Sequence, residues 1–116
     1  LVNRKVTRLL FVCSRNQWRS PTAESIYSQK PLVSTRSRGT SHGARKLVKS
    51  EDLRWADIVF AMEGKHKRRL LADFPDETRD KQVHVLDIPD IYQFMDPELI
   101  AEITTVVDPI LANLLE

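Results

Sequence analysis

Five residues separate Cys13 from Arg19, and Ser20 follows the arginine directly. A thiol and a guanidinium at that spacing can share one short loop, a pairing suited to nucleophilic attack on phosphorus. The thiolate attacks, while the planar guanidinium fork grips two phosphoryl oxygens at once. Leu9, Leu10, Phe11 and Val12 precede the cysteine, and Pro21 follows the serine. An apolar run before a polar loop reads as a buried strand. Ser20 before Pro21 reads as a helix N-cap with proline at the first helical position. The loop 13–19 then lies between a strand's C-terminal end and a helix's N-terminal end, where unpaired amides and the helix dipole favour a bound dianion. A thiol in that setting is pushed toward thiolate. Ser20 can donate its hydroxyl to the sulfur, steadying it as nucleophile and as leaving group. Asn16, in mid-loop, tolerates left-handed backbone and can bond neighbouring main chain, holding the cradle open.

The elements that must position this loop follow from pattern. Strands are expected over residues 8–12, 32–37, 58–62 and 82–86, the last with the alternation of a sheet edge. A helix is expected over 20–29, with Ala23, Ile26 and Tyr27 on one apolar face, and others over 50–54 and 65–72. Asp96 and Pro97 read as N-cap and first residue of a last helix carrying Leu99, Ile100, Ile103, Val106 and Val107 inward; Pro109 restarts or kinks it toward residue 115. Strands alternating with helices predict an α/β, doubly wound, four-stranded parallel sheet with helices on both faces, a single domain over residues 1–116. Right-handed crossovers bring all strand C-termini to one edge. The Cys13 loop, Gly39, Met62-Glu63 and the loop 87–96 therefore converge, and acids come close to the thiol. Three aspartates compete to be a general acid. Asp87 directly follows a strand and is read as orienting its loop through a bond to its own backbone, and Asp96 is explained by capping. Asp90 sits in mid-loop with neither role.

At these residues the chain resembles the low-molecular-weight protein tyrosine phosphatases, in a shortened, bacterial-type version. Cys13, Asn16, Arg19 and Ser20 match the family's loop, and Ser20-Pro21-Thr22-Ala23-Glu24 is similar to its helix opening. Ser37-Arg38-Gly39-Thr40 and the Met62-Glu63 pair are weaker matches to the ends of its second and third strands. Pro89-Asp90-Ile91-Tyr92 is similar to its Asp-Pro-Tyr acid motif, with Ile91 in place of the proline. The resemblance implies hydrolysis of a phosphate monoester, with phosphotyrosine on protein as substrate, through a phosphocysteine intermediate and without metal or organic cofactor. Cys13 would be the nucleophile, Arg19 and the loop residues Ser14, Arg15, Asn16, Gln17, Trp18 and Ser20 the phosphate cradle, Asp90 the acid, and Tyr92 an aromatic lining the cleft. Arg15 stands where the family commonly has glycine, and Trp18 where it often has a second cysteine.

Composition narrows the field. Hydrophobic residues make up 41% and charged residues 29%, ordinary for a globular protein. A net charge of +2 and a pI of 8.9 are too mild to argue for nucleic acid. No apolar run reaches the ~20 residues of a membrane span, and no signal-peptide pattern opens the chain. The one cysteine excludes an internal disulfide and a cysteine metal cluster, and fits a reducing, cytoplasmic setting. Residues 1–5 read as a trimmed or added end. Lys65-His66-Lys67-Arg68-Arg69 reads as a solvated helix face, or more sharply as a docking surface for an acidic or phosphorylated partner. His84 reads as structural, and His42 as a loop residue without a partner. Two rivals to the phosphatase remain: an arsenate reductase drawing on an external thiol, and a non-catalytic phosphoprotein-binding or phosphocysteine carrier module. All three readings share a phosphorylated protein, a small phosphate ester, or inorganic phosphate or a similar oxyanion as partner.

Overall fold

β1 (Thr7–Cys13) is the strand on which the rest is built. Leu9, Leu10, Phe11 and Val12 are fully buried, as a strand covered on both faces requires. The computed structural model describes residues 5–115; residues 1–4, most of the stretch read as a trimmed or added end, lie outside the described residues, as does residue 116. The chain continues through α1 (Arg19–Tyr27), β2 (Val33–Gly39), α2 (Ser50–Trp55), β3 (Ile58–Ala61), α3 (Gly64–Asp73), α4 (Pro75–Thr78), β4 (Gln82–Val85) and α5 (Pro97–Leu115). The four strands pair in parallel in the order β2-β1-β3-β4. This is the doubly wound sheet expected, with β4 at an edge.

Alternation along the strands sorts side chains into two layers. Leu9, Phe11 and Cys13 of β1 and Ile58 and Phe60 of β3 join Ala23 and Tyr27 of α1 and Leu99, Ile103, Val107 and Leu111 of α5. Leu10 and Val12 join Val59, Leu53 of α2 and Leu70 of α3 on the other face. Tyr27, Phe11, Phe60 and His84 stack in a row across the sheet at centroid spacings of 5.7, 5.2 and 5.5 Å. His84 ends that row, the structural role read for it. Tyr27 also donates its hydroxyl to Asp108 Oδ1 at 2.5 Å, joining α1 to α5; burial first, then this bond, raise the phenol's pKa. Among the described residues no helix is long and apolar enough to cross a membrane.

Several boundaries differ from expectation. β2 begins at Val33 because Leu32 has φ 63, outside strand geometry. α1 begins at Arg19 with Trp18 at its N-cap position, so Ser20 is not the cap but lies within the first turn. Its hydroxyl lies instead beside the Cys13 sulfur. α5 runs unbroken through Pro109. The short α4 was not expected from pattern.

Candidate active site

The chain leaves β1 at Cys13 and turns through five loop residues into α1. The turn depends on Asn16, which has φ 58 and is fully buried. Asparagine is among the few non-glycine residues that adopt this left-handed backbone readily. Its Nδ2 donates to Ser20 Oγ and to Ser37 Oγ, both at 2.9 Å, and Ser37 donates onward to Glu24 Oε1 at 2.8 Å. Arg45 Nε donates to Asn16 O at 3.1 Å from outside. Ser20 Oγ, held by Asn16, lies 3.0 Å from Cys13 Sγ and 3.3 Å from Arg38 O, so its one proton can go to the sulfur or to that carbonyl. A sulfur that attacks or leaves as thiolate can only accept, and Ser20 is the hydroxyl placed to donate to it. Among the described residues, no amide from Ser14 to Trp18 donates to a backbone carbonyl. Such unclaimed N–H groups at a helix N-terminus form an anion cradle.

Gly39 closes the loop from below. A Cβ there would lie 2.5 Å from Ser14 O and 2.6 Å from Ala44 Cβ, so only glycine admits this approach. The following segment is fastened to the loop by Ser41 N to Ser14 O at 2.9 Å and Arg45 N to Arg15 O at 3.0 Å.

Arg19 is 1% exposed. Its Nη1 donates to Glu63 Oε1 and to Ile88 O, the latter at 2.9 Å. The Nε–Nη2 edge is left, and the carboxylate nearest it is Asp90, with Oδ1 3.6 Å from Nε. Two parallel donors on a fixed edge match two oxygens of a phosphoryl group. The hydrogen bond from Arg19 holds the Glu63 carboxyl below its ordinary pKa, so it is ionised at neutral pH and fixes the guanidinium. A cavity of about 280 Å³ opens here, lined by Cys13, Arg15, Gln17, Trp18, Arg19 and Asp90. Residues predicted from the loop and from the far end of the chain thus face one space.

His66, read only as part of a basic helix face, is 1% exposed and belongs to the loop's support. The Glu63 backbone N–H donates to its Nδ1 at 3.0 Å, so the ring proton of the neutral form is on Nε2, which lies 2.8 Å from Ser14 Oγ. The ring therefore donates to Ser14 and leaves that hydroxyl's own proton free. Burial, reinforced by the charge of Arg19, lowers His66 to about 4, so it is neutral at pH 7.

The remaining candidates lie elsewhere. Asp96 Oδ1 accepts the Glu98 N–H at 2.9 Å, as an N-cap does. Asp87 makes no bond to its own loop among the described residues; with φ 57 it turns the chain by its backbone conformation instead. Tyr92 is half-buried against the α1–α5 apolar layer and is not among the residues lining the cavity. His42 is exposed. Glu63, His66, Ser37 and Glu24 complete the site. The only sequence signal for them was their place in or beside the strand-end and helix-opening matches.

No protein-family model matches the sequence, and no curated protein does. Solved structures do match. YwlE arginine phosphatase from Geobacillus stearothermophilus superposes with a TM-score of 0.69 at 23% identity, over 94% of this chain and 96% of that one. A low molecular weight protein tyrosine phosphatase from T. tengcongensis gives 0.63 at 21%, over 89% and 99%. A YwlE cysteine-to-serine mutant, solved with its active-site serine phosphorylated, gives 0.63 at 21%, over 88% and 96%. The chain carries the α/β fold of the low molecular weight protein tyrosine phosphatases.

Proposed function

We propose that this chain is a phosphatase that hydrolyses phosphorylated protein through a phosphocysteine intermediate. The observation that carries the reading is the shared cavity of Cys13, Arg19 and Asp90, closed by a loop of unclaimed amides. Cys13 Sγ attacks phosphorus in line with the leaving oxygen. The S–P bond forms as the P–O bond breaks, and Asp90 gives its proton to the departing oxygen. Water then attacks the phosphocysteine, Asp90 takes back a proton, and the sulfur leaves as thiolate, stabilised by Ser20. Arg19 and the amides bind the equatorial oxygens throughout, strongest where charge is greatest. The phosphorylated serine in the YwlE mutant supports a covalent route on this fold.

Phosphotyrosine is the substrate favoured, because Trp18, 41% exposed at the cavity wall, offers an aromatic face to a planar ring. Phosphoarginine is the second reading, since two of the structures sharing the fold are of YwlE arginine phosphatase. Paired peptides carrying either group, assayed for released phosphate, decide between them. p-Nitrophenyl phosphate turnover by the native chain, abolished in Cys13→Ser, tests the reaction class. Arsenate-dependent consumption of an added thiol without phosphate release would make the chain a reductase instead, and phosphopeptide binding without turnover would make it a carrier or binding module.

A further inference from the structure

We propose that a second groove, across Ser14 from the Cys13 cavity, binds an anionic side chain of the same substrate polypeptide. This rests on the reading that the substrate's phosphate is bound at Cys13. The groove is an open concavity of about 450 Å³ whose lining includes Ser14, Thr40, Ser41, Lys65, Arg68 and Arg69, with His66 beneath; no carboxylate lines it. Lys65, Arg68 and Arg69 stand at i, i+3 and i+4 on α3 and so share one helix face. Lys65 Nζ lies 4.0 Å from Glu63 Oε1 and Arg69 is paired with Asp73 at 2.7 Å, but Arg68 has no acidic partner among the described residues. Like charges gathered on one face repel, and an incoming anion relieves that repulsion. The hydroxyls of Thr40 and Ser41 add donors on the opposite wall. That wall is fastened to the phosphate loop by the Ser41 N to Ser14 O bond, so groove and cavity keep a fixed relation.

The basic run thus divides by role. His66 turns inward to support the loop, while Lys65, Arg68 and Arg69 face the groove. Cys13 and Arg15 line the cavity and Ser14 lines the groove, so the two sites open on either side of one residue. An extended peptide advances ~3.3–3.6 Å per residue, so an anion reaching a groove that adjoins the cavity is carried close to the phosphorylated residue in sequence. A carboxylate and a second phosphoryl group offer the same chemistry to these cations.

The test measures binding of phosphotyrosine peptides to the Cys13→Ser chain. One series places Gln, Glu or phosphoserine at the positions flanking the phosphotyrosine. Glu-flanked peptides are expected to bind about fivefold to thirtyfold more tightly than Gln-flanked ones at low salt, the range for a few exposed ion pairs. A gain with phosphoserine but not with Glu would identify the groove as a subsite for a second phosphoryl group. Lys65→Gln/Arg68→Gln/Arg69→Gln, added to Cys13→Ser, should remove the preference and leave the Gln-flanked peptide bound as before. Equal affinity for all three peptides, or a preference that survives the triple substitution, overturns the proposal. p-Nitrophenyl phosphate turnover by the native chain, measured alongside, judges the phosphatase reading separately, and the triple substitution alone should leave it unchanged.

Discussion

Replacing Asn16 tests whether one side chain sets the geometry of the loop. Its Nδ2 makes two buried hydrogen bonds, to Ser20 and Ser37, each at 2.9 Å. Each contributes about 1 kcal/mol net, and alanine at φ 58 adds about 1 kcal/mol of backbone strain. The amide oxygen is buried without a partner, so its loss costs nothing. Asn16→Ala is therefore expected to destabilise the fold by about 3 kcal/mol, a drop of roughly 10 °C in Tm for a chain of this length. Asn16→Gly keeps the left-handed backbone and loses only the bonds, so about 2 kcal/mol is expected. Urea denaturation of both variants in phosphate-free buffer measures the difference. Turnover should fall in both, because Ser20 loses the bond that holds its hydroxyl beside the sulfur. Two variants within about 0.5 kcal/mol of the native chain would refute the reasoning, as would a glycine variant less stable than the alanine one.

Asp90→Asn should slow hydrolysis of alkyl and phenyl esters by ~10²–10⁴-fold and of p-nitrophenyl phosphate far less, while Asp96→Ala should cost about 1 kcal/mol of stability with turnover kept; reversed results would make Asp96 the acid. Gly39→Ala should lower stability by about 1–3 kcal/mol and weaken phosphate binding, whereas Gly43→Ala, where an added Cβ meets nothing within 4 Å, should be near neutral; calorimetry with and without phosphate checks both. His66 is depressed from 6.5 to about 4 by burial, so its share of stability is complete above pH 6.5 and is lost as pH falls toward 4, at most about 3 kcal/mol. Denaturant titrations of the native chain and His66→Asn over that range should show the steeper acid loss in the native chain, and equal slopes would contradict the assignment.

What the sequence revealed was whatever is encoded locally. The apolar run 9–12, the Cys13 to Arg19 spacing and the cap at Asp96 are each contained within a few residues, and each is found where it was expected. Parallel topology then carried two local readings into one place, because strands aligned the same way deliver Cys13 and the loop 87–96 to a single edge. Contacts between distant residues were harder to see. Glu63 grips Arg19 from 44 residues away, and His66 reaches Ser14 across 52. His66 was hidden by its basic neighbours; only its i, i+4 relation to Leu70, the other buried residue of α3, marked an inward face. Gly39 was legible only as part of a weak strand-end match, because its constraint is the approach of another strand's loop. Ser20 was misread as a cap because Ser-Pro is a strong local signal, whereas the start of α1 is set by the loop folding back over Cys13.

The most direct test of the central claim is to trap the intermediate. The native chain would be mixed with p-nitrophenyl phosphate, quenched in acid within milliseconds and digested, and the Cys13 peptide examined by mass spectrometry. A phosphoryl group on the Cys13 sulfur, more abundant in Asp90→Asn if its second step is slowed and absent in Cys13→Ser together with turnover, is the predicted result. Turnover that persists in Cys13→Ser, or phosphate released by the native chain with Cys13 never modified, would contradict the account.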